Sequence, residues 1–428
     1  MTIIYFILIL SITVFIHELG HFMFAKKYGV YVYEFSIGMG PKLFKFKRKN
    51  DETDYCIRLF PIGGFVQMAG EEVEVDEKIP VEKRLQSKTA FQRFMIMVAG
   101  VMMNFLLAIV LLFFIGLFNT VSFNNVYVSD SSIDGLNDGD KIVEVDGHFV
   151  NNYDKLALEM TVAGNDSFEM TVKTEDNKEK TVNVNPIAVG KSNLIYGYDY
   201  GFNVESIIDE KTNKEIFVIK DSKIDSVQND SKIISINEEE IIDYSNLLNI
   251  LSKYDESFTL KYEIDGEIKE ETIKISENKE DTLLGYNYGF YITGTNEKGF
   301  FAGIKYAFFK FFSTIEQMIF TLVYLITGKI SLGMLSGPVG IFNVVDTYAQ
   351  YGFSNIISLL CLICINVGFI NFLPLPAFDG GHIVFIIIEK IKGSKVSPKV
   401  ENTIHNIGFI LLMILMIVVT YNDIIKLF

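Results

Sequence analysis

Residues 2–25 form an apolar run without lysine or arginine, and towards its end stand His17-Glu18-Leu19-Gly20-His21. As a helix, two dozen residues span about 30 Å of hydrocarbon, which commits the chain to a membrane before any other segment is read. The run has neither the basic start nor the small-residue cleavage site of a removed signal peptide, so it is expected to stay in the bilayer. His17 and His21, four apart, lie one above the other on such a helix and can hold one metal ion, with Glu18 beside the first. Ionisable groups are costly at bilayer depth and mark function. The pattern reads as a zinc site, one ion per chain, with two neutral imidazoles on the metal and Glu18 as general base. The other use of such a pattern is a solvated helical face, and Ile16, Leu19, Phe22 and Met23 argue against it.

The 428 residues are 49% hydrophobic with a mean hydropathy of +0.28, so further membrane segments are expected. The charge is unevenly spread. Residues 119–300 hold 17 Lys and Arg against 36 Asp and Glu, a net of −19, which leaves +4 for the flanks. An acidic soluble block between membrane-associated flanks follows, and nucleic acid is excluded as a partner. Cys56, Cys361 and Cys364 are too few and scattered for a disulfide framework. The last two, inside an apolar run, read as helix packing.

In chain order, residues 1–27 are the first transmembrane helix. Lys26, Lys27, Lys42, Lys45, Lys47, Arg48 and Lys49 place its end in the cytoplasm. Residues 28–89 read as a cytoplasmic-side or re-entrant β region, a hairpin or small sheet, followed by a charged loop from 71 to 88. Residues 90–118 return the chain outward. The acidic block repeats itself: Gly197-Tyr-Asp-Tyr-Gly-Phe202 recurs as Gly285-Tyr-Asn-Tyr-Gly-Phe290. Asp140-Lys-Ile-Val-Glu-Val-Asp-Gly147 is echoed by Ser231-Lys-Ile-Ile-Ser-Ile-Asn-Glu238. Two modules of short strands with one helix each are expected, 119–205 and 206–298. The first strand-turn resembles that of PDZ domains, and the second has Glu238 where that turn has glycine. Inert spacers are the alternative. Residues 299–349, interrupted by Lys305, Lys310 and Glu316, read as an amphipathic or re-entrant segment on the outer face. Residues 350–382 and 404–428 are the third and fourth spanning helices, with a cytoplasmic segment, 383–403, between them.

Two histidines and a water leave a catalytic zinc one protein ligand short, so a carboxylate or a third histidine is expected elsewhere. The best candidate is Asp379, in Asn371-Phe-Leu-Pro-Leu-Pro-Ala-Phe-Asp-Gly-Gly-His382. Pro374 and Pro376 break the helix, and the freed backbone is tolerated at membrane depth only in protein or beside a wet cavity. The topology brings Asp379 level with His17.

On these stretches the chain resembles the site-2 proteases, intramembrane zinc metalloproteases of the M50 type, over nearly its full length. Their HExxH stands at His17 to His21 and their NxxPxPxxDG at Asn371 to Gly380. Weaker matches are Gly38-Met-Gly-Pro41, Gly63-Gly-Phe-Val-Gln-Met68 and Gly337-Pro-Val-Gly-Ile341, while Gly100-Val-Met-Met-Asn104 lacks the proline of the family's GPxxN. The paired PDZ-like modules resemble those of bacterial regulators of extracytoplasmic stress signalling. The resemblance implies that His17, His21 and Asp379 bind zinc and that Glu18 is the base. It also implies cleavage within single-pass transmembrane substrates such as anti-sigma factors or signal-peptide remnants, in the bacterial cytoplasmic membrane. Asn371 is the candidate oxyanion donor, the alternative being a helix–helix hydrogen bond. His382, close to Asp379 in sequence, is a candidate neighbour that supports the ligands, and it is not assigned as a ligand itself.

The expected fold is thus a polytopic α-helical membrane protein with four transmembrane helices, a membrane-associated β-hairpin or sheet, and two extracytoplasmic PDZ-like α+β domains. A substrate helix hides its carbonyls in its own hydrogen bonds, so an enzyme strand must receive it once unwound. Gly63, Gly64, Phe65, Val66, Gln67 and Met68 are the candidate strand, and a buried hairpin without substrate contact is the alternative. Two other functions compete: a metal-binding transporter, which has no need of Glu18, and a PDZ scaffold over an inactive metal site.

Overall fold

Long stretches that are apolar on every side bury little by packing on one another, and here they fold as long helices with lipid-ready outer faces. The computed structural model describes residues 2–71, 77–122, 125–191, 194–209, 214–279, 281–331, 333, 335–350 and 352–425. In chain order the elements are α1 (Thr2–Lys27), β1 (Val32–Lys47), β2 (Asp54–Met68) and α2 (Ala90–Phe118). The acidic block follows, with α3 (Tyr153–Ala163) and α4 (Tyr244–Leu251) among short strands. Then come α5 (Phe300–Ile326), α6 (Pro338–Gln350), α7 (Phe353–Phe372), α8 (Asp379–Lys392) and α9 (Pro398–Ile425). Two compact units result, Met1–Val121 with Asn296–Phe428, and Ser122–Thr295.

The first unit is organised on α2. A capping box between Thr89 and Gln92 starts this helix, satisfying amides that its first turn leaves free. Glycine contacts then seat its neighbours: Gly20 of α1 against Ala99, Gly368 of α7 against Phe105, and Gly303 of α5 against Phe113. Between membrane helices, where lipid is as apolar as leucine, close backbone approach of this kind supplies the packing energy. Cys361 and Cys364 are buried and free, and Cys364 Sγ lies 3.5 Å from Thr13 Oγ1 of α1, the packing role expected. Outward side chains such as Leu106, Phe114, Ile410 and Ile417 remain exposed and apolar.

Among the described residues, five helices are long and apolar enough to cross a membrane, α1, α2, α5, α7 and α9, where four were expected. The difference is α5. Gly303 meets Gly116, and Phe311 packs edge-on against Phe105 at 5.1 Å between ring centroids. Over these contacts α5 runs antiparallel to α2, while α6 and α7 begin again at the first end of α1, where Phe342 packs edge-on against Phe6 and Ile356 clusters with Ile9. Lys305 sits in the first turns of α5 and pairs with Glu297 at 3.1 Å.

Between α1 and α2, β2 folds around β1. Residues 34–37 face 54–57 along one edge and 64–67 along the other. The stretch 64–68 is the outer strand, and among the described residues no strand pairs with its far edge. Arg58 and Lys42 converge on Glu34, buried within this sheet. Of the charged loop, residues 72–76 lie outside the described residues.

The second unit contains two six-stranded sheets of the same order, each a path of five strands with a two-residue sixth, Glu239–Glu240 or His148–Phe149, paired to its middle strand. One runs Asn203–Asp209, Lys214–Lys220, Lys232–Ile236, Ser257–Ile264, Glu267–Lys274. The other runs Tyr291–Thr293, Val126–Ser129, Lys141–Val145, Phe168–Lys173, Glu179–Val184. Each repeated Gly-Tyr-x-Tyr-Gly-Phe segment leads into the first strand of its sheet. The first sheet is therefore closed by a strand from the far end of the block, and the second module is inserted between. This differs from a serial division at 205/206, since the strand Asn203–Asp209 begins the second sheet and Phe290 packs in the first core.

Candidate metal centre

His17 and His21 share the face of α1 that is turned to α2, and their Nε2 atoms are 3.1 Å apart. Asp379, first residue of α8, brings Oδ2 to 3.1 Å from His17 Nε2 and 3.4 Å from His21 Nε2. Ligands about 2.0–2.2 Å from a zinc ion at tetrahedral corners stand roughly 3.3–3.5 Å from one another, so the three donors fit that ion. Asp379 Oδ2 makes no hydrogen bond at these short distances, as befits a lone pair aimed at a common point.

The surroundings orient these donors. His21 Nδ1 is 2.8 Å from the Ile96 carbonyl, which accepts its proton and leaves Nε2 free for a metal. Gly100 lies against both imidazoles: a Cβ there would sit 2.4 Å from His21 Nε2 and 2.8 Å from His17 Cε1. On the loop side, α7 ends at Phe372, and a Cβ on Gly380 would fall 2.0 Å from the Leu373 carbonyl oxygen. Only glycine lets the first turn of α8 fold back so closely that Asp379 reaches α1. Its carboxylate also complements the positive end of that helix.

The donors open into a cavity of about 380 Å³ that Glu18, Phe65, Val66, Met68 and Asn371 also line. Of the candidate strand residues, Gly63 makes the turn at φ 84° and Gln67 is exposed, so neither lines the cavity. Gly64 passes close to Glu18, with an added Cβ 3.8 Å from its Cγ. One titratable lining residue, Glu71, was not foreseen. Glu71, read as part of a charged loop, faces the cavity, accepts the Met68 N–H at 3.3 Å, and is pushed up to about 7 by burial. His382 also lines it, but pairs with Glu401.

The sequence pattern of peptidase family M50 matches residues 5–415. The chain belongs to that family. This M50 peptidase is 31% identical over 508 aligned residues to the zinc metalloprotease RasP of Shouchella clausii, covering 100% of this chain and 99% of the relative. It is likewise 31% identical to RasP of Geobacillus kaustophilus, over 100% and 98%. The regulator of sigma-W protease RasP of Bacillus subtilis is 27% identical, over 100% and 99%. The M50 peptidase is thus a zinc-dependent metalloendopeptidase of the site-2 protease type, in a multi-pass membrane protein.

Proposed function

We propose that the chain hydrolyses peptide bonds within transmembrane segments, with His17, His21 and Asp379 as its zinc ligands and Glu18 as its base. The observation that carries this reading is the convergence of three donors at 3.1–3.4 Å beside Glu18, on a helix long and apolar enough to span. When bound, zinc acidifies a water and polarises the scissile carbonyl. Glu18 takes the proton of the attacking water and hands it to the departing amide nitrogen. Asn371 donates to the carbonyl oxygen as charge develops there. Analysis of the purified protein for metal tests the ligand set: Asp379→Ala and His17→Ala should each lose most of the single zinc. Full occupancy in Asp379→Ala would remove it from that set.

The outer strand 64–68 receives the unwound substrate by adding it as a further strand. Met68 turns its N–H away from β1 towards Glu71, and Val66, two residues earlier, donates its amide to Glu18 at the same edge, where an entering substrate carbonyl would take it over. Val66→Pro deletes that donor and spares the ladder to β1. Zinc content should be unchanged while cleavage of a helical substrate falls about tenfold, the order of one lost hydrogen bond. Helix-breaking residues in the substrate should recover part of the rate. Wild-type cleavage of helical substrates would exclude this edge as the clamp.

The basic residues after α1 support a cytoplasmic placement of that end in a bacterial cell membrane, with the acidic unit outside. Its two sheet-and-helix modules act as PDZ-like docking or size-filtering domains for single-pass substrates. The name of the Bacillus subtilis relative, a regulator of sigma-W protease, supports membrane-bound anti-sigma factors as the substrate class.

A further inference from the structure

The loop that carries the third donor is strained. Ala377, two residues before Asp379, has a φ of 78°, in the left-handed region that a Cβ penalises. A residue keeps such a conformation only where its surroundings hold it. Here the holding group comes from α9. His405 Nδ1 accepts the Ala377 N–H at 3.0 Å. One turn further along α9, Gly408 lets Pro376 sit where a Cβ would be, 2.3 Å from the proline Cβ.

The His405 ring is itself fixed. It stacks on His382 with centroids 3.9 Å apart and 18° between planes, Phe385 lies 5.6 Å away, and His382 is anchored by Glu401 at 3.0 Å. His382, Glu401 and His405 group donor atoms closely enough to invite a second metal. The geometry opposes it. Imidazole lone pairs lie in the ring plane, so two stacked rings cannot both aim at one ion, and the Nδ1 lone pair of His405 is already used by an amide. That bond fixes the tautomer, leaving the proton on Nε2, a buried atom without a hydrogen-bond partner among the described residues.

We propose that His405 is a positioning residue for the zinc site: by accepting the Ala377 amide it holds the left-handed turn that delivers Asp379 to His17 and His21. The proposal rests on the zinc ligand set given above. Outer partners that orient metal ligands are commonly worth 10–100-fold in metal affinity. The backbone of this loop is the intermediary, so the effect passes through ligand placement and not through contact with substrate.

The test uses the full-length purified protein, with zinc affinity measured by chelator competition and ligand geometry by the visible absorption of the cobalt-substituted form. His405→Phe keeps the stacked ring and deletes the acceptor, and should weaken zinc about tenfold and alter the cobalt spectrum. His405→Asn places its Oδ1 where Nδ1 stood and should stay within about threefold of wild type. Ala377→Gly adopts φ 78° freely, so combining it with His405→Phe should recover most of the lost affinity. Wild-type zinc affinity and cobalt spectrum in His405→Phe would overturn the proposal. If His405→Phe does not fold, His405→Asn is set against His405→Gln, whose carbonyl lies too far out for the amide. Retention only in the asparagine variant supports the proposal, and equal affinities overturn it. His17→Ala in the same assay separates the two levels. Absence of zinc from wild type would sink the metal assignment itself, whereas zinc lost in His17→Ala but not in His405→Phe sinks only the positioning role.

Discussion

Glu18→Gln is expected to keep zinc at one per chain and leave thermal stability unchanged, while cleavage of a transmembrane peptide falls by about 10²–10⁴-fold. The exchange preserves size and hydrogen-bonding reach in a cavity where Gly64 and the imidazoles leave little room, and removes only the ability to take a proton. Cleavage within tenfold of wild type would mean that another group serves as base. Glu71 is then the first alternative, because it lines the same cavity with a carboxyl raised to about 7. Glu71→Gln, made alongside, should stay active if Glu18 is the base. A transporter that merely holds the ion would show no loss in either variant's metal handling.

Gly100→Ala should have an effect of comparable size by a different route. The added methyl would stand 2.4 Å from His21 Nε2 and 2.9 Å from His17 Nδ1, closer than van der Waals contact permits. Either the imidazoles rotate out of convergence or α1 and α2 separate. Overpacking of this kind costs about 1–3 kcal/mol and lands on the metal donors themselves. Zinc content of the purified variant should fall towards zero, with cleavage lost in parallel. Gly116→Ala is the control: it meets Gly303 of α5 at 2.9 Å, far along α2 from the histidines. It should lower the melting temperature and retain zinc. Stoichiometric zinc in Gly100→Ala would show that the two imidazoles do not lie against this glycine.

The distance between Gly100 and its consequence illustrates where legibility ended. In the chain it stands in a stretch matched to a family pattern but without a role, because nothing within a few residues of it is chemical. Its role exists only once Gly20 and Gly100 bring α1 and α2 together. Glu71 is similar. Among neighbours rich in acidic residues it reads as part of a solvated loop, and only the end of β2 turns it into the cavity. That α5 lies against α2 is likewise absent from its own residues, because the Gly303–Gly116 contact that seats it joins distant parts of the chain. The two sheets of the acidic unit failed to divide serially for the same reason. Their repeated segments mark equivalent strands, but which sheet a strand joins depends on a partner more than 150 residues away, as Tyr291–Thr293 beside Val126–Ser129.

What the residues determined alone were the relations that act over one helical turn or one bilayer thickness. The length of the apolar runs, the four-residue spacing of His17 and His21, and the proline break before Asp379 all follow from 3.6 residues per turn and from the cost of unpaired backbone in lipid. The tertiary structure alone decided how Asp379 comes within 3.4 Å of two histidines more than 350 positions before it, which strand edge faces them, and which side chains hold the loop between α7 and α8 in place. Those are distances between elements, set by packing whose terms are spread over many residues, and no local window of sequence contains them.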